Sequence, residues 1–153
     1  MIRSIILLLA ASLPACASHP AGAVPCPRVT ITYIGSETVD AVAHGRFQIT
    51  TDGAQTLRLP LASVDRQVHA HAVSTDIRDE PDLDWRPFSV VLEEVKAPAA
   101  DLVVAPGEIE TFLYDGKGVF LPGAVQKGQE LSIVIRDFQG CAHRSMPFLP
   151  EPR

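Results

Sequence analysis

The sequence has none of the short motifs that accompany common catalytic chemistries. It contains no Gly-x-Ser-x-Gly element, no glycine-rich phosphate loop and no His-Glu-x-x-His metal motif. It also has no run of basic residues and no basic stretch interleaved with aromatics, so nothing in it indicates binding to nucleic acid. The sequence therefore predicts a protein that is not an enzyme, uses no cofactor and binds no nucleic acid.

Long apolar runs are also lacking, and aromatic residues make up only 6% of the chain. No run approaches the roughly 20 apolar residues that a membrane-spanning helix needs. The composition, 46% hydrophobic and 20% charged, excludes wholesale disorder, and 153 residues are enough for one domain. The net charge of −5 predicts a mildly acidic, soluble surface.

The first sixteen residues have the build of an export signal. Arg3 is the only charge, Ile5 to Ala11 form a short apolar run, and small residues precede a cysteine. The ending Leu13-Pro14-Ala15-Cys16 resembles the bacterial lipobox, with Leu three residues before a Cys and a small residue directly before it. This resemblance implies that residues 1–15 are a lipoprotein signal peptide and that Cys16 carries the lipid and begins the mature protein.

The resemblance also implies a location. Ala17, and not Asp, follows the cysteine, which in enterobacterial lipoproteins favours the outer membrane. We therefore expect an outer-membrane lipoprotein of the cell envelope that faces the periplasm, held by its N-terminal lipid. Cleavage near Ala21-Gly22-Ala23 is the alternative, and would give a secreted or soluble periplasmic protein. Residues 16–27, rich in small residues and proline, predict a flexible tether.

Two further cysteines, Cys26 and Cys141, flank the strand-like part of the chain. In an oxidising compartment an even pair predicts a disulfide, here one that ties the two ends of the domain together. Two free buried thiols are the alternative.

From residue 28 onward the hydrophobic pattern has a period of two, which is typical of half-buried strands. Seven or eight short runs with turn residues between them predict an all-β domain over residues 28–146, an antiparallel β-sandwich of immunoglobulin-like or transthyretin-like type. A small β-barrel is the alternative. The tail, residues 147–153, is predicted to be loose because of its prolines.

The same pattern of apolar and turn residues indicates individual elements of the sandwich. The run at 46–50 and the run at 57–61 resemble a hairpin, and Pro60 predicts that the second run lies at a sheet edge or ends there. Residues 68–73 read as a further strand, and residues 88–95 as a central strand or a short helix. The alternating residues at 131–135 predict the last strand.

The pair His69 and His71 is the first candidate site. On a strand, residues i and i+2 project from one face, so both imidazoles could reach one metal ion. A third ligand, from Asp76, His44 or His143, would be needed. In the alternative, the two histidines only line the solvent side of an edge strand.

The acidic segment 76–84, which leads to the only tryptophan, Trp85, is the second candidate. Its carboxylates predict a solvated loop, a calcium site or a protein-contact loop. In the last case Trp85 is the aromatic anchor, and the charged rim consists of Asp79, Glu80, Asp82 and Asp84. Alternatively, Trp85 turns inward and fills the core.

Three functions are compatible with these features. The first is a non-enzymatic envelope lipoprotein whose sandwich binds a protein partner, as an accessory or structural subunit of an envelope complex. The second is an inhibitor or immunity lipoprotein against a secreted cell-wall hydrolase. The third is a metal-binding periplasmic protein that uses the His-x-His pair.

Overall fold

The structure, a computed structural model, describes residues 25–63, 65–88 and 96–150. Within these ranges the backbone forms nine strands and two short 3-10 turns, and no helix is long and apolar enough to cross a membrane. The turns are Ala70–Ala72 and Gly116–Gly118. The strands are β1 (Arg28–Val39), β2 (Val42–Asp52), β3 (Leu57–Leu61), β4 (Val73–Arg78), β5 (Arg86–Pro87), β6 (Ala100–Val104), β7 (Ile109–Tyr114), β8 (Glu130–Arg136) and β9 (Ala142–Arg144).

The strands form three antiparallel sheets, in the orders β1-β2-β7, β3-β6 and β5-β4-β8-β9. Backbone hydrogen bonds join the first two into one layer, because Val68 donates to Leu113 and the next residue donates to Pro60. The hydroxyl groups of Thr75, on β4, and Tyr114, on β7, lie 3.0 Å apart in the interior between the two layers. The described sheets do not close on themselves. The fold is the predicted all-β antiparallel sandwich, and not the barrel alternative.

The core is built by the inward-facing residues of the strands, which alternate with outward-facing ones along each strand. Ile31, Ile49 and Ile133 are completely buried, as the period of two predicts. An aromatic cluster fills one part of the interior. In it, the ring centroids of Phe148 and Tyr33 lie 4.8 Å apart. Its other rings come from Phe47, Phe112, Tyr114 and Phe120.

The Phe120 ring lies directly on the backbone of β2 at Gly45. A Cβ atom on Gly45 would stand 2.3 Å from the nearest ring carbon, closer than real Cβ atoms approach. Residues 119 and 120 lie in a turn directly after Gly116–Gly118. The glycine is therefore required for the seating of this ring.

Some local predictions were wrong. The predicted hairpin between the runs at 46–50 and 57–61 does not form, because β2 lies between β1 and β7 while β3 pairs with β6. Strand β3, which contains Pro60, ends at Leu61, but it does not lie at a free sheet edge. Strand β6 pairs with one side of it, and on the other side Pro60 accepts a hydrogen bond from the backbone N–H of His69. Strand β9 follows the strand predicted to be the last. Of the predicted element at 88–95, only Phe88 belongs to the described residues.

The tail differs from its prediction as far as it is described. Phe148 is buried, and its backbone exchanges two hydrogen bonds with Leu131, at 2.8 and 2.9 Å. One aromatic side chain thus anchors residues 147–150 to β8 despite the neighbouring prolines. Residues 151–153 lie outside the described ranges.

The sandwich has two ends, which differ in what they carry. At one end, the disulfide end, β1 begins just after Cys26 and β8 finishes shortly before Cys141. At the other end, the opposite end, β4 finishes where β8 begins, since Arg78 pairs with Glu130. The hairpin turn between β1 and β2 also lies toward the opposite end, because β1 runs away from Cys26 over its twelve residues.

Candidate functional site

Trp85 stands over the outward face of the four-stranded sheet. The guanidinium carbon of Arg78, on β4, lies 4.5 Å from the indole centroid, and that of Arg144, on β9, lies 5.3 Å from it. Strand β8 runs between these two strands. The indole ring therefore lies across β8 and interacts with a cation from each side.

The burial of the sheet agrees with this position. Ser132 occupies an outward position on β8, at the level of Asp76 on β4, and is nevertheless completely buried. Trp85 itself is half-buried. It thus neither fills the core nor presents a free aromatic face, the two roles predicted for it. It covers the outer surface of the sheet, and the two arginines fix its orientation.

The segment before Trp85 is fixed at its first end as well. The carboxylate of Asp79 accepts a hydrogen bond from the Gln129 amide at 2.7 Å and one from Arg86 at 3.0 Å. These two donors hold the pKa of the Asp79 carboxyl below its ordinary value. Asp76 is also paired, with Arg144 at 2.6 Å, and belongs to β4. The acidic segment is consequently a loop, residues 79–84, that is held at both ends.

The apex of this loop is exposed. It turns through a backbone hydrogen bond from Leu83 to Glu80 at 3.1 Å. The predicted rim residues Glu80, Asp82 and Asp84 are all exposed, and among the described residues none of these carboxylates has an ion-pair partner. Leu83 projects among them with 49% of its surface exposed. Sequence reasoning missed this residue, although an apolar side chain inside a run of charges was the available signal.

The histidine pair does not lie on a strand. Residues 70–72 form a 3-10 turn, so the prediction that His69 and His71 share a strand face is wrong. Their ring centroids are nevertheless 5.7 Å apart, with His69 buried and His71 exposed. At this turn the backbone N–H of His69 donates to the carbonyl of Pro60, and the carbonyl of His69 accepts the backbone N–H of Ala72. Pairing with β8 begins only at Val73.

Each of the three candidate third ligands is engaged elsewhere. The Nε2 atom of His44 lies 3.0 Å from the Gln67 amide nitrogen, and Nε2 of His143 lies 3.0 Å from the Asp137 carboxylate. Asp76 pairs with an arginine, as described above. In the part of the chain that the structure describes, no group of three His, Cys, Asp or Glu residues could hold a metal ion.

The predicted disulfide between Cys26 and Cys141 is present, across a sequence separation of 115 residues. It closes the domain at the disulfide end, next to the point where the N-terminal segment enters. Cys16, the predicted lipid attachment site, and the signal peptide lie outside the described residues.

A second exposed element is a hairpin that extends from the first sheet. Strand β2 pairs with β7 only from Gly45 onward, so residues 38–43 form strand pairs only with one another within the described ranges. We call residues 38–43 the arm. The ion pair between Glu37 and Arg46, at 3.6 Å, lies at its base, and its two-residue turn consists of Asp40 and Ala41.

No family model matches this chain, and no curated protein matches it. The immunoglobulin-like or transthyretin-like type of the sandwich therefore remains a prediction.

Proposed function

We propose that the protein is a non-enzymatic lipoprotein of the cell envelope whose sandwich binds a protein partner through the loop 79–84. The observation that carries this proposal is the combination of fixed ends and an exposed apex. Arg86 and Gln129 hold the first end, and Arg78 and Arg144 hold the last. A loop that is already ordered loses little conformational entropy on binding, which favours affinity.

The chemistry of the apex indicates the partner's surface. Three exposed carboxylates lie near Leu83 in the loop. Leu83 is thus a small apolar anchor, and the carboxylates form a charged rim around it. The complementary surface is a basic one with a shallow apolar pocket. Charged rims mainly accelerate association and select the partner, while the buried anchor slows dissociation.

The position of the loop supports an anchored binder. The N-terminal segment enters the domain at the disulfide end, whereas the loop follows β4 at the opposite end. A lipid on Cys16 would then hold the disulfide end toward an outer membrane and leave the loop directed into the periplasm. Replacement of Cys16 by Ser tests this anchor, because the variant should leave the membrane fraction. Unchanged partitioning into membranes would contradict it.

An inhibitor or immunity lipoprotein against a cell-wall hydrolase is the second candidate. The arm favours it, since a narrow projecting hairpin can enter a cleft that a flat surface cannot.

Site-specific photo-crosslinking in intact cells tests the first proposal. A photoreactive residue at Leu83 should yield an adduct with one protein, and the same residue at Ile109, another exposed apolar position, should not. Neutralisation of Glu80, Asp82 and Asp84 to their amides should remove the adduct, and purified partner should bind less tightly as salt rises. Equal adducts at both positions, or an adduct that survives neutralisation, would contradict the proposal.

A further inference from the structure

The arm presents an apolar tip with a single charge. Val42 is 47% exposed, Ala41 is exposed, and Val39 is half-buried. Glu37 and Arg46 neutralise each other at the base. Asp40 is then the only charged side chain of the tip, and among the described residues it has no ion-pair partner.

The turn at the tip keeps one side chain, that of Ala41, where the backbone disfavours it. Asp40 and Ala41 have φ angles of 48° and 63°, in the left-handed region. Asn-Gly and Asp-Gly are the usual pairs in two-residue hairpin turns of this type, so Asp40 suits its position and Ala41 stands where glycine is favoured. The methyl group of Ala41 is thus kept at a cost in backbone strain, an observation that motivates a functional hypothesis for the tip.

We propose that the arm inserts into an apolar cleft of a partner protein and that the Asp40 carboxylate meets a cationic side chain on the floor of that cleft. A two-stranded ribbon is narrow enough to enter a cleft. Inside it, Val39, Ala41 and Val42 would contact the apolar walls of the cleft. A carboxylate that enters such a cleft loses water, so a lysine or arginine must replace that water.

Charge and position argue against the other occupants. A second copy of this chain would bring one Asp40 against another if two tips met, and like charges repel. An anionic lipid surface repels the same carboxylate. The arm also points away from the disulfide end, where the N-terminal segment enters.

The arm and the loop 79–84 are separate surfaces, so this proposal goes beyond the binding function proposed for the loop. It deepens the second candidate function, which also rests on the arm. A partner that holds both would be bound at two points. The experiment below uses the arm alone, so the failure of one proposal leaves the other standing.

The test is photo-crosslinking of the full chain in intact cells from Val42, with Val103 as the matched control. Both are strand valines, 47% and 48% exposed. A single protein adduct is expected from Val42 and none from Val103. The adduct should disappear in the double variant Asp40→Asn, Ala41→Gly, which replaces both tip side chains with residues that favour this turn. For the purified partner, Asp40→Lys should weaken binding at least about tenfold.

Several outcomes would overturn the inference. They are an adduct with a second copy of this chain, an adduct with lipid, equal adducts from both valines, and a double variant that binds as well as the wild type. The double variant is expected to fold at least as stably as the wild type. Loss of its adduct therefore reports on the tip and not on unfolding. An adduct from Leu83 that persists without one from Val42 would leave the loop proposal intact and refute this one.

Discussion

His143 and Asp137 form a buried pair beside the disulfide. The Nε2 atom of His143 lies 3.0 Å from Oδ2 of Asp137, and the two side chains are only 5% and 2% exposed. The other carboxylate oxygen accepts the backbone N–H groups of Gln139, at 2.8 Å, and Cys141, at 2.9 Å. One carboxylate thus organises the turn that carries a disulfide cysteine.

Replacement of Asp137 by Ala should lower the free energy of unfolding by about 3 kcal/mol, because it leaves three donors without an acceptor and two of them, on His143 and Cys141, are buried. Urea denaturation measures this change. The exposed carboxylate Asp65 provides the control, since its replacement by Ala should change stability by less than about 0.5 kcal/mol. Equal effects of the two substitutions would contradict a structural role for the pair.

Gly45→Ala should destabilise the protein by about 1–3 kcal/mol, because the new methyl group overlaps the ring of Phe120. The effect should be smaller in a Phe120→Leu background, where the ring atoms that clash are missing. A double-mutant cycle measured by thermal or urea unfolding gives the coupling between the two positions. Additive effects would show that the ring does not rest on Gly45.

Ala41→Gly should stabilise the protein by about 0.5–1 kcal/mol, because glycine adopts a φ of 63° without strain. Ala142→Gly is the control, since Ala142 is an exposed strand residue, where glycine should cost about 0.5–1 kcal/mol. Destabilisation by both substitutions would argue against a strained turn at the arm.

Burial raises the pKa of Tyr114 above its ordinary value of 10.0. The unfolded chain therefore loses this phenolic proton first. The resulting contribution to stability is complete below about pH 10 and is lost as the pH rises through the pKa of the folded state. The free energy of unfolding should be measured at neutral and at strongly alkaline pH. Its decrease between the two pH values should be larger for the wild type than for Tyr114→Phe. Parallel losses in the two proteins would contradict this assignment.

The same Tyr114→Phe variant should be less stable at neutral pH by about 1 kcal/mol, because Thr75 loses its hydroxyl partner. A Thr75→Val, Tyr114→Phe double variant, which removes both polar groups, should recover part of that loss.

Local patterns predicted the strands well. The alternation of Ile31 and Tyr33 and that of Ile133 and Ile135 indicate one buried face directly, because side chains on a strand alternate between its faces. The disulfide followed from the cysteine count and the predicted compartment. These inferences need no knowledge of which strands are neighbours.

Pairing and side-chain environment could not be predicted in the same way. The neighbour of β2 is β7, more than fifty residues later, and no local signal selects it over β3. The environment of Trp85 depends on Arg144, which comes from a strand that the period-two pattern did not indicate. The His69 turn depends on a hydrogen bond to Pro60. Each of these depends on a contact distant in sequence.

The disulfide also determines how the domain would carry a mechanical load. A pull on the chain before Cys26 would, without the bridge, separate β1 from β2 one pair at a time, beginning where Arg28 pairs with Asp52. With the bridge, part of the force passes through Cys141 into β9 and the turn that Asp137 holds. Strands of both layers then share the load, and the first sheet resists sequential peeling. A domain tethered at this end is thereby fastened through two strands, although a single chain leads to it.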